Sequence, residues 1–184
     1  MPNFGVGIAI LVGDRVLLTR REDFEVWCLP GGSVEEGESL AQTAQREARE
    51  ETGLEIHIER LVGVYSRPKW RDGGAHEIIF AASPIGGALS PDPREVIETG
   101  WFGINDLPQP LLPWMVQEIR DALGGVGGSA VWRQDLDWSF PAGLSRRELY
   151  RLRDESGLSR QDFYLKHASL ETFTKISEIP PKTR

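Results

Sequence analysis

Glu47, Glu50 and Glu51 stand at spacing i, i+3, i+4 inside the segment GSVEEGESLAQTAQREAREETGL, residues 32–54. On a helix, a rotation of about 100° per residue brings these carboxylates onto one narrow face. Like charges so placed repel one another, and a folded protein that keeps them needs positive charge there. A hard divalent cation meets that need, because Mg²⁺ takes oxygen ligands and prefers a few carboxylates together with waters and substrate phosphates. The cluster contains no Cys or His, which argues against zinc. Arg46 directly precedes Glu47 and can orient a carboxylate through a forked pair. Just upstream, Leu29-Pro30-Gly31-Gly32 lets the backbone bend sharply and bring a carbonyl oxygen to the same place. Three acids alone would better suit a solvated helix face, so the surrounding residues must decide.

The elements that must position this cluster are legible. Ser39 to Glu51 reads as a helix, with Ser39 and Gln42 as a capping box and Gly53 where a helix end wants glycine. Phe4–Val12 and Val16–Leu18, separated by Gly13-Asp14, predict a hairpin. Trp27-Cys28-Leu29 is a short apolar piece stopped by Pro30. Leu54, Ile56 and Ile58 alternate with charged or polar residues as a strand does, with Leu61–Tyr65 continuing or pairing with it. His76–Ala82 and Thr99–Ile104 are further strands, and Leu111–Leu123 is an amphipathic helix. The chain has 184 residues, 40% apolar and 27% charged, enough for one domain with a real core. Gly124–Ser129 reads as a flexible glycine-rich linker. Beyond it lies an extension, residues 130–184, with a possible strand at Val131-Trp132, a helix over Ser145–Glu155 and a second helix from Ser159.

The helical segment and its flanks resemble the Nudix hydrolase signature, G-x5-E-x7-R-E-U-x-E-E-x-G-U with U a bulky aliphatic. Gly32, Glu38, Arg46, Glu47, Glu50, Glu51 and Gly53 fill the fixed places and Leu54 the last U. Ala48 fills the first U with a small residue, a departure that concerns packing. Leu17–Arg21, Leu29-Pro30-Gly31, Trp101-Phe102 and Asp106-Leu107-Pro108 are similar to the family as well. The resemblance covers about residues 4–123 and not the tail. It implies an α/β fold, the Nudix-type α/β/α sandwich with a mixed β-sheet, here with a small mostly helical C-terminal extension. The division it implies is a Nudix domain over 1–123, the linker 124–129 and the extension 130–184. It also implies hydrolysis of a nucleoside diphosphate linked to another moiety, helped by Mg²⁺ or Mn²⁺. By resemblance Glu47, Glu50 and Glu51 are the metal ligands, joined by the Gly31 carbonyl, with Arg46 orienting them. The carboxylate that takes the water proton is one of these or a loop acid, Glu95 or Glu98. The stretch VGVYSRP, residues 62–68, looks like members that hydrolyse ADP-ribose. The family is often dimeric.

Outside the signature, Arg20 and Arg21 end a strand, so alternation lets at most one face the site; Arg21 is taken as a substrate contact. Arg67-Pro68-Lys69-Trp70-Arg71 reads as a basic loop in which Arg67 binds phosphate and Trp70 stacks on a base. An ordinary exposed loop is the alternative. Glu38, His57, His76 and Cys28 are assigned structural roles. GLSRQDFY, residues 157–164, distantly resembles the second helix of a helix-turn-helix. This raises a second possibility, a nucleotide-sensing regulator that binds DNA. Charge weighs against it: the chain is net −7, residues 1–140 are −10 and the tail only +3, so nucleic acid is an unlikely partner. A single cysteine excludes an intrachain disulfide, no apolar run reaches membrane-helix length, and no basic leader precedes the first apolar stretch. These features predict a cytoplasmic protein away from membranes, and the resemblance implies a small nucleotide as its substrate.

Overall fold

The computed structural model describes residues 3–70, 73–128, 130–136, 139–140, 143–167 and 173–183. Among them run β1 (Asn3–Val12), β2 (Arg15–Arg21), β3 (Trp27–Cys28), β4 (Gly31–Ser33), α1 (Leu40–Thr52), β5 (Leu54–Arg67), β6 (Ala75–Gly87), β7 (Val96–Gly103), α2 (Met115–Leu123), β8 (Ala130–Asp135), α3 (Arg146–Glu155), α4 (Arg160–His167) and β9 (Thr174–Ile179). The strands form one mixed sheet in the order β3-β2-β1-β6-β5-β8-β9, with β4 against β1 and β7 against β2. β1 and β2 meet only at Leu11–Val16 and Val12–Arg15 around the expected turn. The remainder of β1 runs parallel to β6, and β2 pairs with β7.

Alternation along β1 divides the core between two faces. Val6, Ile8 and Ile10 join Ala44 and Ala48 of α1, together with Leu54 and Ile56. Ala9 points the other way, into a larger cluster with Val62, Tyr65, Ile79 and Ile119 of α2. Helices therefore cover both faces of the sheet, the expected sandwich. Ala48 is fully buried at this contact, so its small side chain lets α1 lie close to the sheet. Ser39 and Gln42 close the capping box, and α1 ends at Gly53 in the left-handed region, φ 78°.

Two elements differ from expectation. The second helix begins at Met115, because Pro113 disfavours helical geometry at Leu112. Leu111 instead bridges to Trp27, and the Leu112 N–H donates to the Trp27 carbonyl. The glycine-rich stretch is tied down over its described part, 124–128: Val126 is buried, its carbonyl accepts from Arg60 Nε at 2.9 Å, and Gly128 N–H donates to Leu61 O at 2.6 Å.

The extension, expected to be mostly helical, contributes strands as well as helices. β8 adds parallel to β5 and β9 antiparallel to β8. Together they cover a polar side of α2 that periodicity alone assigned to solvent. Asp121 is buried and accepts from Tyr65 Oη at 2.8 Å, Gln117 Nε2 at 2.8 Å and Trp132 Nε1 at 2.9 Å, the last from β8. Lys175 of β9 donates to Gln117 Oε1. Leu149, Phe163 and Tyr164 of the extension share the larger core cluster with Trp27 and Trp114.

Gly53 tests the join between α1 and β5. A Cβ there would lie 2.4 Å from the Ala88 carbonyl oxygen in a conformation that L residues adopt with strain. Gly53→Ala is expected to lower stability by about 1–3 kcal/mol, read as a shift in the urea midpoint at constant m-value.

Candidate active site

Arg46 organises the acidic face of α1, using all five guanidinium donors. Nε and Nη2 grip the two Glu38 oxygens at 2.8 and 2.9 Å, Nη1 donates to Glu47 Oε1 at 2.8 Å and Glu50 Oε2 at 3.1 Å, and Nη2 also reaches the Ser33 carbonyl at 3.2 Å. This fork, with further bonds from Thr43 Oγ1 and the Glu35 N–H, holds the Glu38 carboxyl down to about 2. Glu38 is thus the anchor that aims Arg46, a role beyond the helix-end charge that the sequence suggested.

Glu51 lies on the adjoining side of the helix and accepts from the Gly31 N–H at 2.9 Å. Gly32 sits directly over Glu47: a Cβ there would come within 2.2 Å of Glu47 Oε1 and push the carboxylate out of its present place. Burial pushes Glu47 up against the pull of Arg46, and Glu50 and Glu95 add repulsion. Burial likewise raises Glu51 to about 7, opposed by the Gly31 N–H and Arg21, and reinforced by Glu47 and Glu95. The site therefore carries more negative charge than one arginine neutralises. Oxygen donors with uncompensated charge fit a hard divalent cation. Among the described residues no three acidic, histidine or cysteine side chains converge on one point. Glu47 and Glu50 are turned to Arg46, and Glu50 is 54% exposed.

The two loop acids separate. Glu98 pairs with Arg20 at 3.3 Å, and Arg20 also reaches Glu25. Glu95 acts electrostatically on Glu47 and Glu51, and its carbonyl accepts from the Glu22 N–H at 2.8 Å. Arg21, the alternate residue of β2, faces the cluster.

Beside Gly31 and Gly32 opens a cleft of about 190 Å³, and Arg21, Arg67 and Trp70 all line it. Their settings differ from the sequence expectation. Arg67 ends β5 and is 6% exposed, where a basic surface loop was expected. It donates to Glu77, to Glu118 at 3.2 Å and to Gln134 at 3.0 Å, and its guanidinium lies over Trp114. The long strand pairing of β5 with β6 and β8 draws it inward. Burial and the neighbouring Glu77 drive Glu118 well above the ordinary carboxylate range despite Arg67. Trp70 meets Trp114 edge-on, with ring centroids 5.0 Å apart. Arg21 grips both oxygens of Asp23 at 2.8 and 2.6 Å.

His57 and His76 stand in strands, and His76 Nδ1 lies 3.0 Å from Ser66 Oγ. Cys28 is buried beside Thr19, and burial pushes its thiol up to about 12, which leaves it unreactive. Sequence reasoning missed Glu77 and Tyr164 in the lining of this cleft, and Asp23 as the partner of Arg21. Asp23 had a local signal, an acid two residues after Arg21; Glu77 and Tyr164 arrive only through the fold.

The NUDIX domain family model matches residues 1–123, and the chain belongs to that family. It is a Nudix pyrophosphohydrolase. It is 35% identical over 142 residues to a candidate 8-oxo-dGTP diphosphatase of Bacillus subtilis (strain 168), covering 77% of this chain and 93% of that one. It is 38% identical over 113 residues to the ADP-ribose pyrophosphatase of Methanocaldococcus jannaschii, covering 59% of this chain and 66% of that one. Against two longer relatives the chain spans only 39% and 31% of their length. Among solved structures, a MutT NUDIX hydrolase from Burkholderia pseudomallei superposes with a TM-score of 0.60 at 28% identity, over 66% of this chain and 98% of that one.

Glu51 gives a stability test. A carboxyl whose folded value is about 7, above its ordinary value of 4.5, favours the fold when protonated. That contribution is complete below about pH 4.5 and is lost as pH rises through 7. Glu51→Gln keeps an acceptor for Gly31 without the charge. In chelator-containing buffer the variant is expected to melt above wild type at pH 8, with the gain shrinking toward pH 5. An equal difference at both values would contradict the assignment.

Proposed function

We propose that this chain hydrolyses the pyrophosphate bond of a nucleoside diphosphate linked to a second moiety, with Mg²⁺ or Mn²⁺ as cofactor and ADP-ribose as the favoured substrate. The observation that carries this reading is the over-charged carboxylate cluster of Glu47 and Glu51, packed against Gly31 and Gly32, the two glycines that line a cleft together with Arg21. Glu47, Glu50 and Glu51, with the Gly31 carbonyl, would hold the cation once Glu47 and Glu50 turn from Arg46. When bound, the cation neutralises diphosphate charge and lowers the pKa of a coordinated water.

The chain's own groups divide the remaining work. Arg46 keeps the carboxylates gathered while they repel each other. Arg21 receives phosphate charge, and its bond to Asp23 fixes its direction. Glu95, facing the cluster, is better placed than Glu98 to take a proton from the attacking water. Trp70 offers a ring to a base. Arg67, engaged by Glu77, Glu118 and Gln134, serves the cleft by holding Glu77 at its wall. The VGVYSRP stretch and the ADP-ribose pyrophosphatase relative support ADP-ribose. A nucleoside triphosphate substrate is the second reading, favoured by the match that spans 93% of the candidate 8-oxo-dGTP diphosphatase.

The regulator alternative gains no support from the helix pair at the tail. Arg153 and Arg160 are turned to Asp23 and Glu22, and Phe163 and Tyr164 are buried. A cytoplasmic setting suits a chain whose single cysteine is buried.

The test is a panel of ADP-ribose, other nucleoside-diphosphate conjugates and nucleoside triphosphates, with Mg²⁺ or Mn²⁺. ADP-ribose is expected to turn over fastest. Glu50→Gln and Glu51→Gln, each still folded, are expected to lose about 10²-fold or more in kcat/KM. Full activity in both variants would overturn the site assignment.

A further inference from the structure

Residues 145–164 lie beyond the matched family domain, yet they close on the turn that follows β2. Tyr150 Oη donates to Asp23 Oδ2 at 3.1 Å, Arg153 Nη1 donates to the Asp23 carbonyl at 2.6 Å, and Arg160 Nη1 donates to the Glu22 carbonyl at 2.8 Å. Phe24 of the same turn meets Tyr150 edge-on and Tyr164 at a tilt, with centroids 5.9 and 4.5 Å away. Tyr164 itself lines the cleft.

The turn needs such a cover. Glu25 holds a left-handed φ of 55° without being glycine, a conformation that side chains adopt with strain. Glu22 and Asp23, which open the same turn, bear on the chemistry. Asp23 grips Arg21, whose charge reaches Glu51, and the Glu22 N–H holds the Glu95 carbonyl. Asp23 spends both oxygens on Arg21, so any swing of the carboxylate carries the guanidinium with it.

We infer that the C-terminal extension is a working part of the substrate cleft: Tyr150 and Arg153 are positioning residues that act through Asp23 to aim Arg21 at the phosphate groups of the substrate. The inference rests on the reading of Arg21 as the phosphate-binding cation. It adds a source of substrate affinity outside the matched domain, one that a chain ending near residue 123 would lack.

The test is a double-mutant cycle on Tyr150→Phe and Arg21→Ala in the full chain. Tyr150→Phe keeps the ring on Phe24 and removes only the hydroxyl. Binding of inorganic pyrophosphate at fixed Mg²⁺, measured by calorimetry, is expected to weaken about three- to tenfold in Tyr150→Phe, from loss of one hydrogen bond to a charged group. In the Arg21→Ala background the same substitution is expected to change nothing, because the group it aims is gone. With a turned-over nucleotide, Tyr150→Phe is expected to raise KM and leave kcat near wild type. Unchanged or tighter pyrophosphate binding in Tyr150→Phe would overturn the inference. So would an equal loss in the Arg21→Ala background, or no pyrophosphate binding by wild type. Pyrophosphate binding that follows this cycle in a protein that hydrolyses no nucleotide would uphold the inference and sink the hydrolase reading.

Discussion

The site depends on an imbalance of charge. Glu47, Glu50 and Glu51 crowd one helix with Glu38 just ahead of its cap, and Arg46 touches Glu38, Glu47 and Glu50 together. Its planar fork spans Glu38 on one edge and Glu47 with Glu50 on the other, geometry that a lysine ammonium could not reproduce. The fourth acid, Glu51, is left to a backbone N–H and to burial, and it resists ionisation. Partial neutralisation of this kind leaves oxygens ready for a cation while the helix stays intact. The capping box at Ser39, the buried Ala44 and Ala48, and the glycine pair at 31–32 all serve to hold that helix against β1 and β4.

Much of this was legible because the chemistry is local. Glu47, Glu50, Glu51, Arg46 and Glu38 lie within fourteen residues, and helical periodicity alone orders them. The caps of α1 were legible for the same reason, since their partners are three or four residues apart. What could not be read depends on long-range pairing. Arg67 looked like part of an exposed loop because its partners Glu118 and Gln134 lie 51 and 67 positions away. The polar side of α2 looked solvated because β8 and β9, which cover it, come later in the chain. Glu95 and Glu98 could be separated only once the β2–β7 register put Glu98 opposite Arg20.

The extension shows why a family boundary is not a structural one. Its strands continue the sheet, its aromatic side chains fill the larger core cluster, and its hydrogen bonds satisfy Asp121, Arg67 and Asp23. Removing it would leave those groups partly unpaired in the interior, an expensive outcome for buried polar atoms. Fold and cleft therefore share the same supports.

The most direct test of the charge imbalance is Mn²⁺ binding by calorimetry in buffers of different ionisation enthalpy. Glu51, pushed up to about 7, must give up its proton to become a ligand. From Glu51, binding at pH 6.5 should release about three-quarters of a proton per ion, and binding at pH 8 about a tenth. Heats that do not depend on the buffer at pH 6.5, or no Mn²⁺ binding at either pH, would contradict the account.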